Sequence, residues 1–141
     1  MAAESAGGSP LTQGVHHIGL SVADLDASVH FFVGCLGWQK IGGVPDYPSA
    51  FVSDGKIMLT LWQVKDPETS VAFDRRKNVG LHHLALAVPS RSALEALVAK
   101  VAKWPGITVE FQPEPFAGGA LLHAMVYEPG GTRIEFAAPA Q

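Results

Sequence analysis

Cysteine is almost absent from the chain: Cys35 is the only one in 141 residues. A lone thiol excludes an intramolecular disulfide and points to a reducing, cytoplasmic setting. A basic run is missing too. Lys and Arg number 10 against 13 Asp and Glu, a net charge of −3, so nothing here can follow a phosphate backbone and nucleic acid is not an expected partner. No stretch reaches the roughly 18 apolar residues that a membrane span needs. Residues 1–13 lack the charged and apolar regions of a secretory signal and have the small, polar composition of a flexible arm. At 48% hydrophobic residues the chain can build a core without disulfides, and the expected partner is a small molecule.

What is present is one motif written twice. Val15-His16-His17-Ile18-Gly19-Leu20-Ser21-Val22 returns 66 positions later as Leu81-His82-His83-Leu84-Ala85-Leu86-Ala87-Val88. Read as strands with side chains alternating between faces, Ile18, Leu20 and Val22 share a core face, as do Leu84, Leu86 and Val88. His17, Gly19 and Ser21, or His83, Ala85 and Ala87, take the other face. His16 and His82 have opposite parity and are expected on the far side. Packing alone would favour larger groups than glycine, serine and alanine, so the two histidine faces read as kept open around a ligand.

The surroundings of the two strands match as well. Asp24 caps a helix with Leu25, Val29, Phe32 and Leu36 at helical spacing, ending near Gly37. Strands are expected at 38–44, 50–53 and 56–64, with turns at Pro45-Asp46-Tyr47-Pro48 and Asp54-Gly55. In the second half Ser90 or Ser92 caps a helix carrying Leu94, Leu97, Val98 and Val101, closed at Trp104-Pro105-Gly106. Strands follow at 107–111, 120–127 and 132–137, with 112–119 expected as a loop and lid hinged at Gly118-Gly119. The charged segment 65–79 is a linker. The reading is an α+β fold with one domain over 14–138, made of two tandem βαβββ modules, 14–64 and 80–138, after an arm at 1–13.

Two copies of one unit pack about a pseudo-twofold axis, so equivalent residues meet and the two open faces become the walls of one cleft. In the last strand Ile134 and Phe136 face the core, which turns Arg133 and Glu135 to the cleft. In the first module Leu59 and Leu61 do the same for Met58, Thr60 and Trp62. His17, His83 and Glu135 are thereby expected to converge. Two neutral imidazoles and a carboxylate leave positions on a divalent ion open, as a catalytic metal requires. Met58, Trp62, Phe116 and Met125 are expected as an apolar wall for substrate, and Arg133 as a partner for an anionic group.

From residue 16 to 138 the chain resembles the vicinal oxygen chelate superfamily, which includes glyoxalase I, methylmalonyl-CoA epimerase, extradiol dioxygenases and bleomycin- or fosfomycin-resistance proteins. The marks are His17-Ile18-Gly19-Leu20-Ser21-Val22, the helix end Phe31-Phe32…Leu36-Gly37, Gly80 through Val88, and Glu128-Pro129-Gly130-Gly131-Thr132-Arg133-Ile134-Glu135-Phe136. The resemblance implies metal ligands on the first and fourth strands of each module, and His17, His83 and Glu135 match three of those four positions. Thr60 stands at the fourth, where glyoxalase I and the epimerase carry Glu or Gln. A hydroxyl is a poor ligand and no base near neutral pH. Dioxygenase-like members manage with two His and one Glu around Fe(II), but Met125 stands where their tyrosine is expected. His123 and Tyr127 are then the candidate acid/base groups beside Glu135.

What the resemblance implies is a metal-dependent enzyme, either a glyoxalase-like lyase or isomerase or an Fe(II) dioxygenase. It would use Fe(II), Mn(II), Ni(II) or Zn(II) to hold a small organic substrate through vicinal oxygens. A homodimer is implied too, with the cleft closed within one chain or across two. The alternative is a metal-free drug- or metabolite-binding protein of the bleomycin-resistance type.

Overall fold

The alternation at the two repeats does build strands, β1 (Ile18–Val22) and β5 (Leu84–Ala87), in the computed structural model, which describes residues 7–141. Each leads into a helix, α1 (Leu25–His30) or α2 (Arg91–Val101). Three strands follow in either half: β2 (Gln39–Val44), β3 (Tyr47–Ser53) and β4 (Met58–Gln63), then β6 (Thr108–Pro115), β7 (Leu121–Tyr127) and β8 (Arg133–Pro139). The sheets have the orders β1-β4-β3-β2 and β5-β8-β7-β6. In both, the first strand runs parallel to the fourth, and the remaining pairs are antiparallel. These are the two βαβββ modules that the repeat implies. Of the expected arm, residues 1–6 lie outside the described residues, and 7–13 are exposed without helix or strand.

Register explains the buried faces. Leu20 stands beside Leu61 and Ile18 beside Leu59; Leu84 stands beside Ile134 and Leu86 beside Phe136. Their apolar sides join Phe31, Phe32, Leu94 and Val98 in a single core that spans both modules. The caps are those expected: Asp24 accepts the Ala27 N–H at 3.0 Å, and Ser90 accepts that of Ala93 at 3.2 Å. The first helix differs from expectation after His30, where residues Phe31–Cys35 form a π-helical turn. Within it the consecutive Phe31 and Phe32 are both fully buried, rings 5.2 Å apart and edge to face.

The expected lid is shorter than 112–119. Residues 112–115 belong to β6, so only 116–119 remain as the turn into β7. Pro113 and Pro115 suggested a loop, but β6 is the outer strand of its sheet, where a missing N–H breaks no ladder. Register shifts between Val109 and Phe111 and between Phe111 and Glu114 absorb the irregularity.

One buried carboxylate fastens the second module to the first. Glu128, 2% exposed, accepts the Ser28 hydroxyl of α1 at 2.6 Å and the N–H groups of Gly130 and Thr132 at 2.8 Å each. The Gly130 carbonyl in turn accepts the Ala23 N–H at 2.9 Å. The Glu128-Pro129-Gly130-Gly131-Thr132 turn therefore sits directly on the start of the first helix. No helix among the described residues is long and apolar enough to cross a membrane.

Candidate functional site

Both His-His pairs stand just ahead of their strands, since β1 begins at Ile18 and β5 at Leu84. Strand alternation does not extend to them, which corrects the expectation that His16 and His82 face away. Instead each pair bends together. His16 and His17 bring their Nδ1 atoms to 2.8 Å, and His82 and His83 theirs to 2.7 Å, with the rings edge to face in both.

In the second module three candidates meet. His83 Nε2 lies 3.5 Å from Glu135 Oε1, and His123 Nδ1 lies 2.5 Å from Glu135 Oε2. Glu135 is 9% exposed and His123 likewise 9%, so one carboxylate oxygen is held by a buried imidazole while the other looks toward His83. The His123 ring is flanked by Phe111 and Phe116, with centroids at 4.8 and 5.0 Å. Met125 stands opposite Glu135 in the ladder and is buried. Phe116 is half exposed at the turn.

The first module contributes a different surface. Thr60 Oγ1 accepts the Trp62 indole N–H at 2.9 Å, and Tyr47 and Phe51 stand 5.1 and 5.9 Å from Trp62. Met58 is half-buried at the start of the same strand. Gly19 leaves room for this arrangement: a Cβ there would lie 3.2 Å from Thr60 Oγ1 and 3.5 Å from Trp62 Nε1. His17 is exposed, and its ring is bonded to that of His16. Among the described residues no group of three or more His, Cys, Asp or Glu is placed to hold a metal ion. Within one chain, then, the expected gathering of His17 with His83 and Glu135 is not found among the described residues: the first module presents one candidate ligand and the second presents two.

Arg133 and Tyr127 belong to a neighbouring cluster. Arg133 donates from Nε and Nη2 to Glu110 at 2.9 and 2.7 Å, and its Nη1 reaches His82 Nδ1 at 3.3 Å. Arg75 of the linker lies 3.6 Å from Glu110 and donates to Tyr127 Oη at 3.4 Å. Tyr127 is therefore drawn to Arg75 rather than to Glu135. Glu110 and His82 were missed by sequence reasoning, Glu110 because the bulge in β6 spoils its parity and His82 because it precedes the strand. Tyr47 and Phe51 went unnoticed as well; the signal available was their shared parity on β3, where Phe51 stands opposite Thr60 and Ser49 opposite Trp62. An open cavity of about 670 Å³ reaches from Gly19 and Ser21 past Phe73 of the linker to Tyr127 and Arg133. Another of similar size, between α1 and the β2–β3 hairpin, contains none of the candidate ligands.

Hydrogen bonding to Arg133 holds the Glu110 carboxyl below the usual carboxylate range, against the opposing effect of burial. Lost hydration, then the charges of Arg133, His83 and Arg75, hold His82 below the ordinary histidine range. For Glu110 the folded value lies below the unfolded one of 4.5, so its contribution to stability is complete above that pH and is lost as pH falls through the folded value. Glu110→Gln is expected to lower the urea midpoint at neutral pH, with the gap to wild type closing as pH falls below 4.5. A gap that stays constant across that range contradicts this role.

The donor set suits a divalent transition ion: imidazole and carboxylate bind one at about 2.0–2.2 Å, which places two such atoms about 3–3.5 Å apart. His83 Nε2 and Glu135 Oε1, 3.5 Å apart, fit that spacing. Residues 14–136 match the family model described as Glyoxalase/Bleomycin resistance protein/Dioxygenase superfamily. Among solved structures, the fold is similar to a glyoxylase/bleomycin resistance protein/dioxygenase domain from Frankia sp. EAN1pec, with 23% identity, 91% of this chain and 93% of that one covered, and a TM-score of 0.73. It is also similar to lactoylglutathione lyase from Agrobacterium tumefaciens (19% identity, coverage 92% and 96%, TM-score 0.66). A third is the genomically encoded fosfomycin resistance protein of Listeria monocytogenes (15% identity, coverage 91% and 94%, TM-score 0.71). No match emerges among curated protein sequences. With 123 of its 141 residues inside the family model and its two βαβββ modules folded alike, the chain belongs to the glyoxalase/bleomycin resistance protein/dioxygenase superfamily, the vicinal oxygen chelate proteins.

Proposed function

We propose that this protein is a metal-dependent enzyme of the superfamily whose site is completed between two copies of the chain. His83 and Glu135 of one copy and His17 of a second are the ligands. The observation that carries this reading is the facing pair His83 Nε2 and Glu135 Oε1 at 3.5 Å, with the other carboxylate oxygen already engaged by His123. At that separation the two atoms are too far apart for a good hydrogen bond and well spaced to share a cation. A bound divalent ion would polarise two adjacent oxygens on a small organic substrate and lower the cost of proton or oxygen chemistry there.

The chain's own residues supply the rest. His123 holds Glu135 and stands ready to take or return a proton at Glu135 Oε2. Trp62, with Tyr47 and Phe51, offers an aromatic wall, and Phe116 beside His123 offers another. Thr60, its oxygen engaged by Trp62, orients that wall and is not a base. A second copy also answers the exposure of apolar side chains such as Val15, Ile41, Val71 and Val79.

Complementation tests the reading. His17→Ala and His83→Ala chains are each expected to bind no divalent ion. Mixed in equal amounts and allowed to exchange subunits, half the dimers carry one complete site, so roughly one ion per four chains returns. Recovery of none means that the ligands are not shared between copies. With metal bound, turnover of hemithioacetals or oxygen uptake with catechols decides between the lyase and dioxygenase branches. A chain that binds neither metal nor these substrates is the metal-free binding protein instead.

A further inference from the structure

We infer that His82 is a positioning residue: it fixes His83 in the tautomer that carries its proton on Nδ1, leaving the Nε2 lone pair aimed at Glu135 Oε1. One group in the cluster has a role that is not open to choice. A guanidinium has five N–H donors and no acceptor. Arg133 Nη1 lies 3.3 Å from His82 Nδ1, so that nitrogen must present a lone pair. The contact of 2.7 Å between His82 Nδ1 and His83 Nδ1 then needs its hydrogen from His83. His83 is thus a donor at Nδ1 and, when neutral, a bare lone pair at Nε2, 3.5 Å from a carboxylate oxygen.

Arg133 is itself fixed. It is 7% exposed and bound through two nitrogens by Glu110, and its third reaches His82. The order set by Glu110 is passed through Arg133 and His82 to His83. His16 and His17 form the same pair at 2.8 Å, but among the described residues no arginine is bonded to either ring. Nothing described in the first module dictates which of those two rings donates, so the two repeats, alike in sequence, differ in how their histidines are prepared.

The tautomer follows from hydrogen bonding alone, and its use in holding an ion rests on the proposed function; the two are read separately. Long-range nitrogen–proton spectra of the histidine rings, on metal-free full-length protein at about pH 8, where ordinary histidines are neutral, report the first. His83 is expected with its proton on Nδ1 and His82 with its proton on Nε2, while His16 and His17 average between forms. A reversed assignment, or averaging at His82 and His83, overturns the inference whether or not metal binds. Mn(II) or Ni(II) titration reports the second. His82→Leu is expected to weaken binding about 10–100-fold, the range for a ligand's outer partner. His82→Asn, whose carbonyl oxygen can take the place of Nδ1 as acceptor, keeps binding within about threefold of wild type. Equal loss in both variants, or loss in neither, contradicts the role. Because His82 is exposed, both variants should melt near wild type.

Discussion

His83→Ala is expected to weaken divalent-ion binding by more than about 100-fold, beyond the range that a ligand's outer partner commands, and Glu135→Ala is expected to do the same. His83 Nε2 and Glu135 Oε1 are the facing pair of donors in the second module, and removing either leaves one. His123→Ala tests the next position outward. It should cost about 10–100-fold, because His123 orients the far oxygen of Glu135 without facing His83. Thr60→Ala should leave binding within about threefold, since its oxygen serves Trp62 and a neutral hydroxyl is a weak ligand. Calorimetric titration with Mn(II) or Ni(II), beside thermal melts to confirm folding, ranks the four. A larger loss at Thr60 than at His83 contradicts the ligand set.

Gly130→Ala is expected to cost about 3–4 kcal/mol of stability, at the upper end for a single substitution. A Cβ at this position would collide with Ser28 Oγ and lie 2.8 Å from Val22 Cβ and 3.0 Å from Glu128 Oε2. None of these can retreat without breaking the fastening between the modules, because Ser28 and Glu128 are both buried and bonded to each other. Gly131 next to it provides the contrast. It has φ +105°, and a methyl group added there would meet nothing within 4 Å, so Gly131→Ala should cost only the backbone strain of about 1–2 kcal/mol. Glu128→Ala removes the acceptor for a hydroxyl and two backbone N–H groups and should approach the Gly130→Ala loss. Urea unfolding of the three variants gives the order, and equal costs at Gly130 and Gly131 contradict the packing argument.

The strands and helices were legible because local pattern and burial agree in this chain. Leu20, Val22, Leu59 and Leu61 alternate in sequence and are buried in the structure, and the caps at Asp24 and Ser90 announce the helices. The repeat itself gave the order of elements, and with it the faces that carry Glu135, His123 and Trp62. Errors arose where alternation stops applying. The histidine pairs precede their strands, so parity misplaced His16 and His82. Bulges in β6 hid Glu110 among residues whose facing cannot be counted, and two prolines made an outer strand look like a loop. The convergence of His17 with His83 failed for another reason. Pseudo-symmetry says that equivalent faces exist, whereas whether they meet depends on how the modules pack, and here a core shared by both modules and the bonds of Glu128 and Gly130 to the first helix hold that packing through contacts no local pattern encodes. Glu128 itself looked like part of a turn motif, and only its 2% exposure reveals it as a buried anchor.

His83 and Glu135 of one copy of the chain, with His17 of a second, are expected to hold one divalent ion. The most direct test is a titration of chelator-treated, full-length protein with Mn(II), Ni(II), Zn(II) and, without air, Fe(II), followed by elemental analysis of the separated protein. The predicted result is one ion per chain for at least one of the four metals. A folded chain that retains none of them contradicts the account.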